Sequence, residues 1–533
     1  MASQHSDGMD SDLMYTNEQL LRDREYCGGF YLTDSKLHSV SHFQPFQLRS
    51  NWTFWHDSRG NLETVSGQDR HQLMLFGTFF HLEESDPKDM MTRLLRALEL
   101  GIANLEAEID LLVGRFVLVI AEDSNCIVYN DAMGTRSVYY ATNESSVASH
   151  YNLLAETLDC EQIRTWDEAR MSMDLSKSAE ILQLLPNFRL DCHTRDVERY
   201  FPCQENEFND WSHEEKQAEI SRLWKRSLKA LFHQDKSIVF SITGGLDSRL
   251  SVSVAHQHWN DINLYTYGSK QAKESHYSRV MNRDYAISQQ LVEIIEPKTY
   301  VFIALSENKK VSTSLSSLLK RNSITKHGYG LVQRYREEFP GDDWIHVRST
   351  GMEVMRCYFG TDQSIESITR TCEKDGATGF RSRIGALGYD APQFGYNKKD
   401  LLYWELRMGK WHSEILNEND AAFETVLPHN NRRLIKLFLS YSDAERRDAF
   451  ALKELINSTA PLLNFFGIND TRNLYEIIRD TQLESKKKSS DNQKPMSTKK
   501  VIFQTFQLVR RRGVRKGQRM LHNLKSRLSL KNR

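Results

Sequence analysis

The stretch from Lys236 to His258 constrains this chain more than any other. KSIVFSI is a continuous apolar run of strand length, it ends at the Gly244-Gly245 pair, and the helix-like LSVSVAHQH follows almost at once. An unbroken apolar strand has to be covered on both faces, and a tight glycine turn into a helix is how a βα unit of a parallel sheet opens. INLYTYGS, the helical RDYAISQQLVEII and the apolar TYVFIAL then repeat the alternation at crossover spacing. The pattern predicts a doubly wound α/β domain. The remainder to about residue 480 reads as mainly helical, with LLYWELRMGKWHSEIL and NRRLIKLFLSYS as its clearest segments.

That same junction, Ser241-Ile242-Thr243-Gly244-Gly245-Leu246-Asp247-Ser248-Arg249, is suited to hold an anion. Gly244 and Gly245 remove side chains where the backbone must approach a ligand, and the free N–H groups of the helix start point outward. Thr243 and Ser248 add hydroxyl donors for phosphate oxygens. Asp247 is a carboxylate beside a polyphosphate, a position explained by a shared Mg²⁺. A Gly-Gly turn with an Asp cap is common; the full string is far more specific.

At 533 residues the chain exceeds one ordinary core, so two globular domains with extensions are expected. Its 39% hydrophobic and 26% charged residues are those of a soluble enzyme, and 25 Phe and 21 Tyr exclude a disordered chain. Before residue 200, GGFYLT, LMLFGTFF, RFVLVIAE and CIVYND read as strands, and MMTRLLRALELGIANLEAEIDLL has the spacing of one amphipathic helix. The expected division is a leader at 1–25, a first domain at 26–203, the α/β domain at 204–480 and a basic tail at 481–533. From Glu484 onward 16 Lys or Arg stand against one Glu and one Asp, a net +14 that leaves −15 for the rest. The tail interleaves this charge with apolar residues, a pattern suited to an anionic membrane surface or a nucleic acid as well as to a plain solvated tail. The start of the chain lacks a secretory signal, no run reaches the ~20 apolar residues of a spanning helix, and the seven scattered cysteines contain no CxxC. A cytoplasmic protein is expected, with the tail as its one route to a membrane surface.

TGGLDS resembles the pyrophosphate loop of the ATP-pyrophosphatases, written SGGxDS, with Thr243 keeping the hydroxyl of the first Ser. GRFVLVIAED and NDAMGTRSVYY look like the GxFxxxxxD and DxxGxRPLYY patterns of the glutamine-amidotransferase domain of the asparagine synthetase family. The resemblance spans about residues 27 to 470. It implies an Ntn-hydrolase-like αββα sandwich, followed by a doubly wound ATP-pyrophosphatase domain of the adenine nucleotide alpha hydrolase-like type with added helices. It also implies ATP and Mg²⁺ as cofactors, a small-molecule carboxylate that is adenylated, ammonia or an amine as acceptor, and it leaves a homodimer open. Residues carried over are Ser241, Thr243, Gly244, Gly245, Leu246, Asp247 and Ser248 on the phosphates, with Tyr267 and Gly268 of LYTYGS towards the adenosine. Asp284 and Ala286 match the helix start that follows.

Several positions depart from the family. Its glutaminases use a cysteine directly after the initiator Met, with the terminal amine as base; this chain has Ala2, and the look-alike Cys27-Gly28-Gly29-Phe30 is internal. Cys27 is expected to be a buried structural residue, and the chain to lack glutaminase activity. Where the family has SGxGxDE this chain reads Val347-Arg348-Ser349-Thr350-Gly351-Met352-Glu353, so Met352, a poor Mg²⁺ ligand, stands in place of an Asp. Glu353 and Asp247 are then the expected metal ligands, with Glu353, Arg356 and Lys453 as catalytic candidates. Glu405, Arg407, Pro428 and Asn430 fall where the family has its acceptor pocket. Two other classes remain open: a tRNA-modifying ATP-pyrophosphatase, favoured by the basic tail, and a non-catalytic binding protein that keeps the fold.

Overall fold

The computed structural model describes residues 23–493, apart from 36–39, 41, 50, 68–70, 123–124, 271–274, 306–309 and 378. One compact unit ends at Thr471 and a second begins at Arg472. The second contributes the helix Leu474–Gln493, whose start is capped by Asn473 Oδ1 accepting the Glu476 N–H at 3.0 Å. The basic tail beyond residue 493 lies outside the described residues, and with it the expected membrane or nucleic-acid contact. Among the described residues no helix is long and apolar enough to cross a membrane.

Among the described residues, twelve strands come before residue 200: β1 (Phe30–Thr33), β2 (Phe43–Gln47), β3 (Thr53–Asp57), β4 (Leu62–Ser66), β5 (Gln72–His81), β6 (Leu112–Ala121), β7 (Cys126–Asn130), β8 (Tyr139–Ala141), β9 (Ser146–Ala148), β10 (Ile181–Gln183), β11 (Phe188–Asp191) and β12 (Val197–Arg199). They form two six-stranded sheets of order β10-β8-β9-β1-β3-β2 and β12-β11-β7-β6-β5-β4. All ten residues of β6 are buried, because its neighbours pair along it and both its faces are covered. The sheets face each other through aromatic contacts, with Phe30 and Phe54 of one sheet packed edge-on against Phe76 of the other. The helix Pro87–Leu100 covers β4 and β5, and Tyr151–Thr157 covers β8 to β10. This is an αββα sandwich. The single amphipathic helix expected over Met90 to Leu112 is two, Pro87–Leu100 and Ile102–Ile109, since Gly101, at φ 128°, leaves helical geometry between them.

The next five strands, β13 (Ser237–Ser241), β14 (Asn263–Gly268), β15 (Thr299–Ala304), β16 (Trp344–Val347) and β17 (Glu424–Val426), make a wholly parallel sheet of order β15-β14-β13-β16-β17. Phe240 faces a cluster with Leu250, Ile287 and Leu291, while its neighbour Val239 faces another with Leu319, Val332 and Tyr335. Helices therefore cover both faces, which is why the centre of β13, Ile238-Val239-Phe240, is apolar and buried on both. The region expected to be mainly helical supplies β16 and β17, which at four and three residues are too short for a legible pattern. LLYWELRMGKWHSEIL is helical from Lys398 to Asn419, with π-type winding over Tyr403–His412.

Candidate functional site

The strand order reverses at β13, whose neighbours β14 and β16 lead the chain to opposite sides, and in open parallel sheets the crevice beyond such a point receives the ligand. The turn after β13 is Ile242–Gly245. Thr243 N–H donates to Ser248 Oγ at 3.0 Å, and Gly245 N–H to Thr243 Oγ1 at 3.2 Å, so the two hydroxyls fold the turn onto the start of helix Leu246–Val254. Gly244 N–H donates to Asp284 Oδ1 at 3.2 Å. A Cβ on Gly244 would lie 2.7 Å from Ile287 Cδ1 and 3.0 Å from Asp284 Oδ1, so a side chain there would push both residues of helix His276–Ile295 aside. Arg249, fully buried, clamps the turn from behind by donating to the carbonyls of Gly244, Leu463, Phe466 and Gly467.

The turn after β16 forms the second wall. Gly351 has φ 100°, and Glu353 Oε2 accepts its N–H at 3.0 Å. Together the two turns border a cleft of about 200 Å³, lined by Ser241, Thr243, Asp247, Ser248 and Tyr267 on one side and by Arg348, Thr350 and Glu353 on the other. Helix Ser413–Asn419 closes it with Glu418 and Asn419. Beneath it lies a buried polar ladder: Tyr265 OH is 3.0 Å from both Tyr335 OH and His346 Nε2.

Burial pushes the Asp247 carboxyl up to about 7, against the pull of Arg356 and with Glu353 adding to the rise. Asp247 Oδ2 accepts from Arg356 Nη2 at 2.7 Å, while Oδ1 is buried without a hydrogen-bond partner. Glu418 is likewise pushed up to about 7 by burial, although the N–H groups of His327 and Gly328 donate to its two oxygens at 2.8 and 2.9 Å. An orphaned carboxylate oxygen on Asp247, with Glu353 close enough to raise its proton affinity, fits a hard divalent ion that keeps water and phosphate oxygens as its other ligands. Asp247 and Glu353 would hold Mg²⁺ there.

Of the residues singled out in the sequence, Ser241, Thr243, Asp247, Ser248, Tyr267 and Glu353 line the cleft, and Arg356 reaches it through Asp247. Gly244 and Gly245 shape the turn, and Leu246 is buried as the first residue of the helix. Gly268 ends β14 against helix His276–Ile295, where an added Cβ would meet Met281 O at 2.8 Å. Met352 is fully buried in the core, so the position the family gives to an Asp does not face the cleft at all. Lys453 stands outside the cleft, on helix Phe450–Thr459, paired with Asp448 at 3.1 Å. Two of the residues placed at the family's acceptor pocket join the two regions: Glu405 is buried and paired with Arg199 at 2.6 Å, and Asn430 Nδ2 donates to Gly114 O and Asp131 Oδ1. Cys27 is buried, its Sγ is 2.9 Å from Arg24 O, and burial pushes its thiol up to about 12. Sequence reasoning assigned no role to Arg348, Thr350, Asn419 or Glu418. Their signal is positional, because Arg348 and Thr350 directly follow the strand beside β13.

No family model matches the chain, and no curated protein matches it. Among solved structures it is similar to the U34-tRNA thiolase NcsA from Methanococcus maripaludis, at 10% identity and TM-score 0.21 over 48% of this chain and 82% of that one. It is also similar to the NH3-dependent NAD synthetase from Campylobacter jejuni, at 9% and 0.18 over 33% and 78%. A third is the glutamine phosphoribosylpyrophosphate amidotransferase from B. subtilis, at 12% and 0.22 over 69% and 77%. Likeness this slight says nothing about activity. The strand orders themselves show the fold: α/β, an αββα sandwich followed by a doubly wound parallel sheet with added helices, as the sequence led us to expect.

Proposed function

We propose that this chain is an ATP-dependent ligase that adenylates a carboxylate and passes the acyl group to ammonia or an amine. The observation that carries the reading is a single cleft at the switch point of a parallel sheet that joins an anion-binding turn, Thr243–Ser248, to a buried carboxylate with one oxygen free, Asp247. The N–H groups of the turn are taken up by Ser248, Asp284 and Thr243, so phosphate oxygens are bound by the first-turn N–H groups of helix Leu246–Val254 and by the hydroxyls of Thr243 and Ser248. Asp247 and Glu353 would hold Mg²⁺, which when bound would neutralise phosphate charge. Arg356 adds a fixed positive charge beside Asp247, where a departing pyrophosphate gains electrons.

In this reaction an oxygen of the substrate carboxylate attacks the α-phosphorus of ATP, and the bond to the bridging oxygen breaks to release pyrophosphate. The amine nitrogen then attacks the acyl carbon, AMP leaves with the electrons of the acyl–oxygen bond, and the amine gives up a proton. The test is pyrophosphate release from ATP and Mg²⁺ with ammonium and a panel of acids (aspartate, uronic acids, other amino acids, simple carboxylic acids), comparing wild type with Asp247→Ala. Acid-dependent release that falls at least a hundredfold in the variant is expected. Absence of ATP binding by calorimetry would leave a non-catalytic protein that keeps the fold.

A further inference from the structure

The cleft has a part that the phosphate chemistry does not use. Arg348, half-buried at the end of β16, has no side-chain hydrogen bond or ion pair among the described residues. Two further groups on residues lining the cleft are unsatisfied, Thr350 Oγ1 on the same turn and Asn419 Nδ2 on the closing helix: both are buried without a hydrogen-bond partner, and Asn419 is only 4% exposed. A buried polar group left unpaired costs about 1–3 kcal/mol, so a cluster of them facing one cavity calls for a ligand that completes them.

What they can complete follows from their chemistry. A guanidinium and an amide NH2 are donors, a hydroxyl can be one, and a planar guanidinium takes a carboxylate through two parallel hydrogen bonds. The carboxylates of the cleft are paired or spoken for, the one unpaired oxygen, Asp247 Oδ1, being the one assigned to the metal in the reading above. Both oxygens of Glu418 accept backbone N–H groups at the start of helix Tyr329–Glu338, Glu353 accepts from Gly351, and Asp247 is paired with Arg356. An ammonium placed here would meet the Arg348 charge, and would have to compete for carboxylates held by backbone N–H groups, by Arg356 or by the metal.

We propose that Arg348, Thr350 and Asn419 form the subsite that selects the acid to be activated, and that this acid is a small dicarboxylate without an ammonium group. One carboxylate is adenylated and the other is held by Arg348. This inference rests on the ligase reading above, and the experiment separates the two.

Pyrophosphate release and calorimetric binding are measured with succinate, malate, aspartate and butyrate, for wild type, Arg348→Met, Arg348→Lys and Asn419→Ala, after thermal unfolding has shown that each variant folds. Wild type is expected to use succinate or malate at least tenfold better in kcat/KM than aspartate or butyrate. Arg348→Met is expected to raise the KM for the dicarboxylate at least tenfold, a loss at least fivefold larger than any it causes for butyrate or for ATP binding without acid, and Arg348→Lys to recover part of it. If aspartate is the better substrate, or if Arg348→Met weakens ATP binding to the same degree with and without acid, Arg348 serves an amino acid or the phosphates and the proposal falls. Should no acid elicit pyrophosphate, the ligase reading fails by itself; calorimetry with succinate and a non-hydrolysable ATP analogue then decides this one, upheld by binding that Arg348→Met abolishes and overturned by no binding.

Discussion

Asp247 carries the sharpest electrostatic conflict in the molecule's proposed chemistry. Its folded-state carboxyl is pushed up to about 7 from an ordinary 3.8, so the folded protein holds the proton more tightly than the unfolded chain does. The stability this confers is fully present below the ordinary value and is lost as the pH rises through about 7, where the buried carboxylate must ionise. Asp247→Asn removes that burden. Urea denaturation should find the variant more stable than wild type at pH 8 by on the order of 2–4 kcal/mol, from ~1.4 kcal/mol per unit, with the difference closing towards pH 4. The same variant should lose Mg²⁺-dependent ATP binding, because the oxygen that makes Asp247 costly is the one proposed to meet the metal. Cysteine chemistry gives a second residue-scale expectation. Cys27 is buried with its thiol pushed up to about 12, whereas Cys203 is exposed. Brief alkylation of the native protein at pH 8 should therefore mark Cys203 and spare Cys27, and glutamine should not be hydrolysed; rapid labelling of Cys27 would contradict its burial.

At the scale of the element, the turn after β16 shows why matching a motif by position can mislead. Met352 occupies the place of a metal-binding Asp, which suggests that Met352→Asp would restore a ligand. In the structure the side chain points into the core and is fully buried, so the change would place an unpaired carboxylate among apolar neighbours. A loss of about 3 kcal/mol or more and no gain in Mg²⁺ affinity are expected, read by thermal unfolding and a metal titration. The turn after β13, by contrast, is legible in the sequence, because a strand buried on both faces has to be apolar and a turn pressed against Ile287 favours glycine. Strand β16 could not be read: four residues supported on both sides by neighbours need no pattern of their own. With β16 went the identity of the far wall, Arg348 and Thr350, although both residues stand in the string VRSTGME. Lys453 was misplaced for a related reason, since residue type is visible in a helix but the face it turns to a cleft is set by packing.

At the scale of the whole molecule, the sandwich and the parallel-sheet region are joined by buried polar contacts rather than by an apolar seam alone. Arg115, fully buried in β6, pairs with Asp420 at 2.5 Å and donates to Asn417, the latter within the helix that closes the cleft and the former directly after it. Tyr139 OH donates to Glu414 Oε1 at 2.7 Å, and Trp404 Nε1 to Ala132 O at 2.7 Å. The cleft itself leans on the sandwich: a Cβ on Gly351 would lie 2.8 Å from Met133 Sδ, so the turn bearing Glu353 is seated against the first region. Such contacts are satisfied only when both regions are folded, and each leaves a buried charge or donor unpaired if they part. The unit ending at Thr471 should therefore unfold as one. Asn430 is the place to test this, because its Nδ2 donates to Gly114 O and Asp131 Oδ1 and its Oδ1 accepts the Met133 N–H at 2.8 Å. Asn430→Ala strands these partners and should destabilise by about 2 kcal/mol or more. Tryptophan fluorescence and far-ultraviolet circular dichroism should shift together to a lower urea midpoint with one shared transition. If the two probes separate in the wild type, the sandwich and the parallel sheet fold independently, and the cleft cannot depend on the sandwich in the way its geometry suggests.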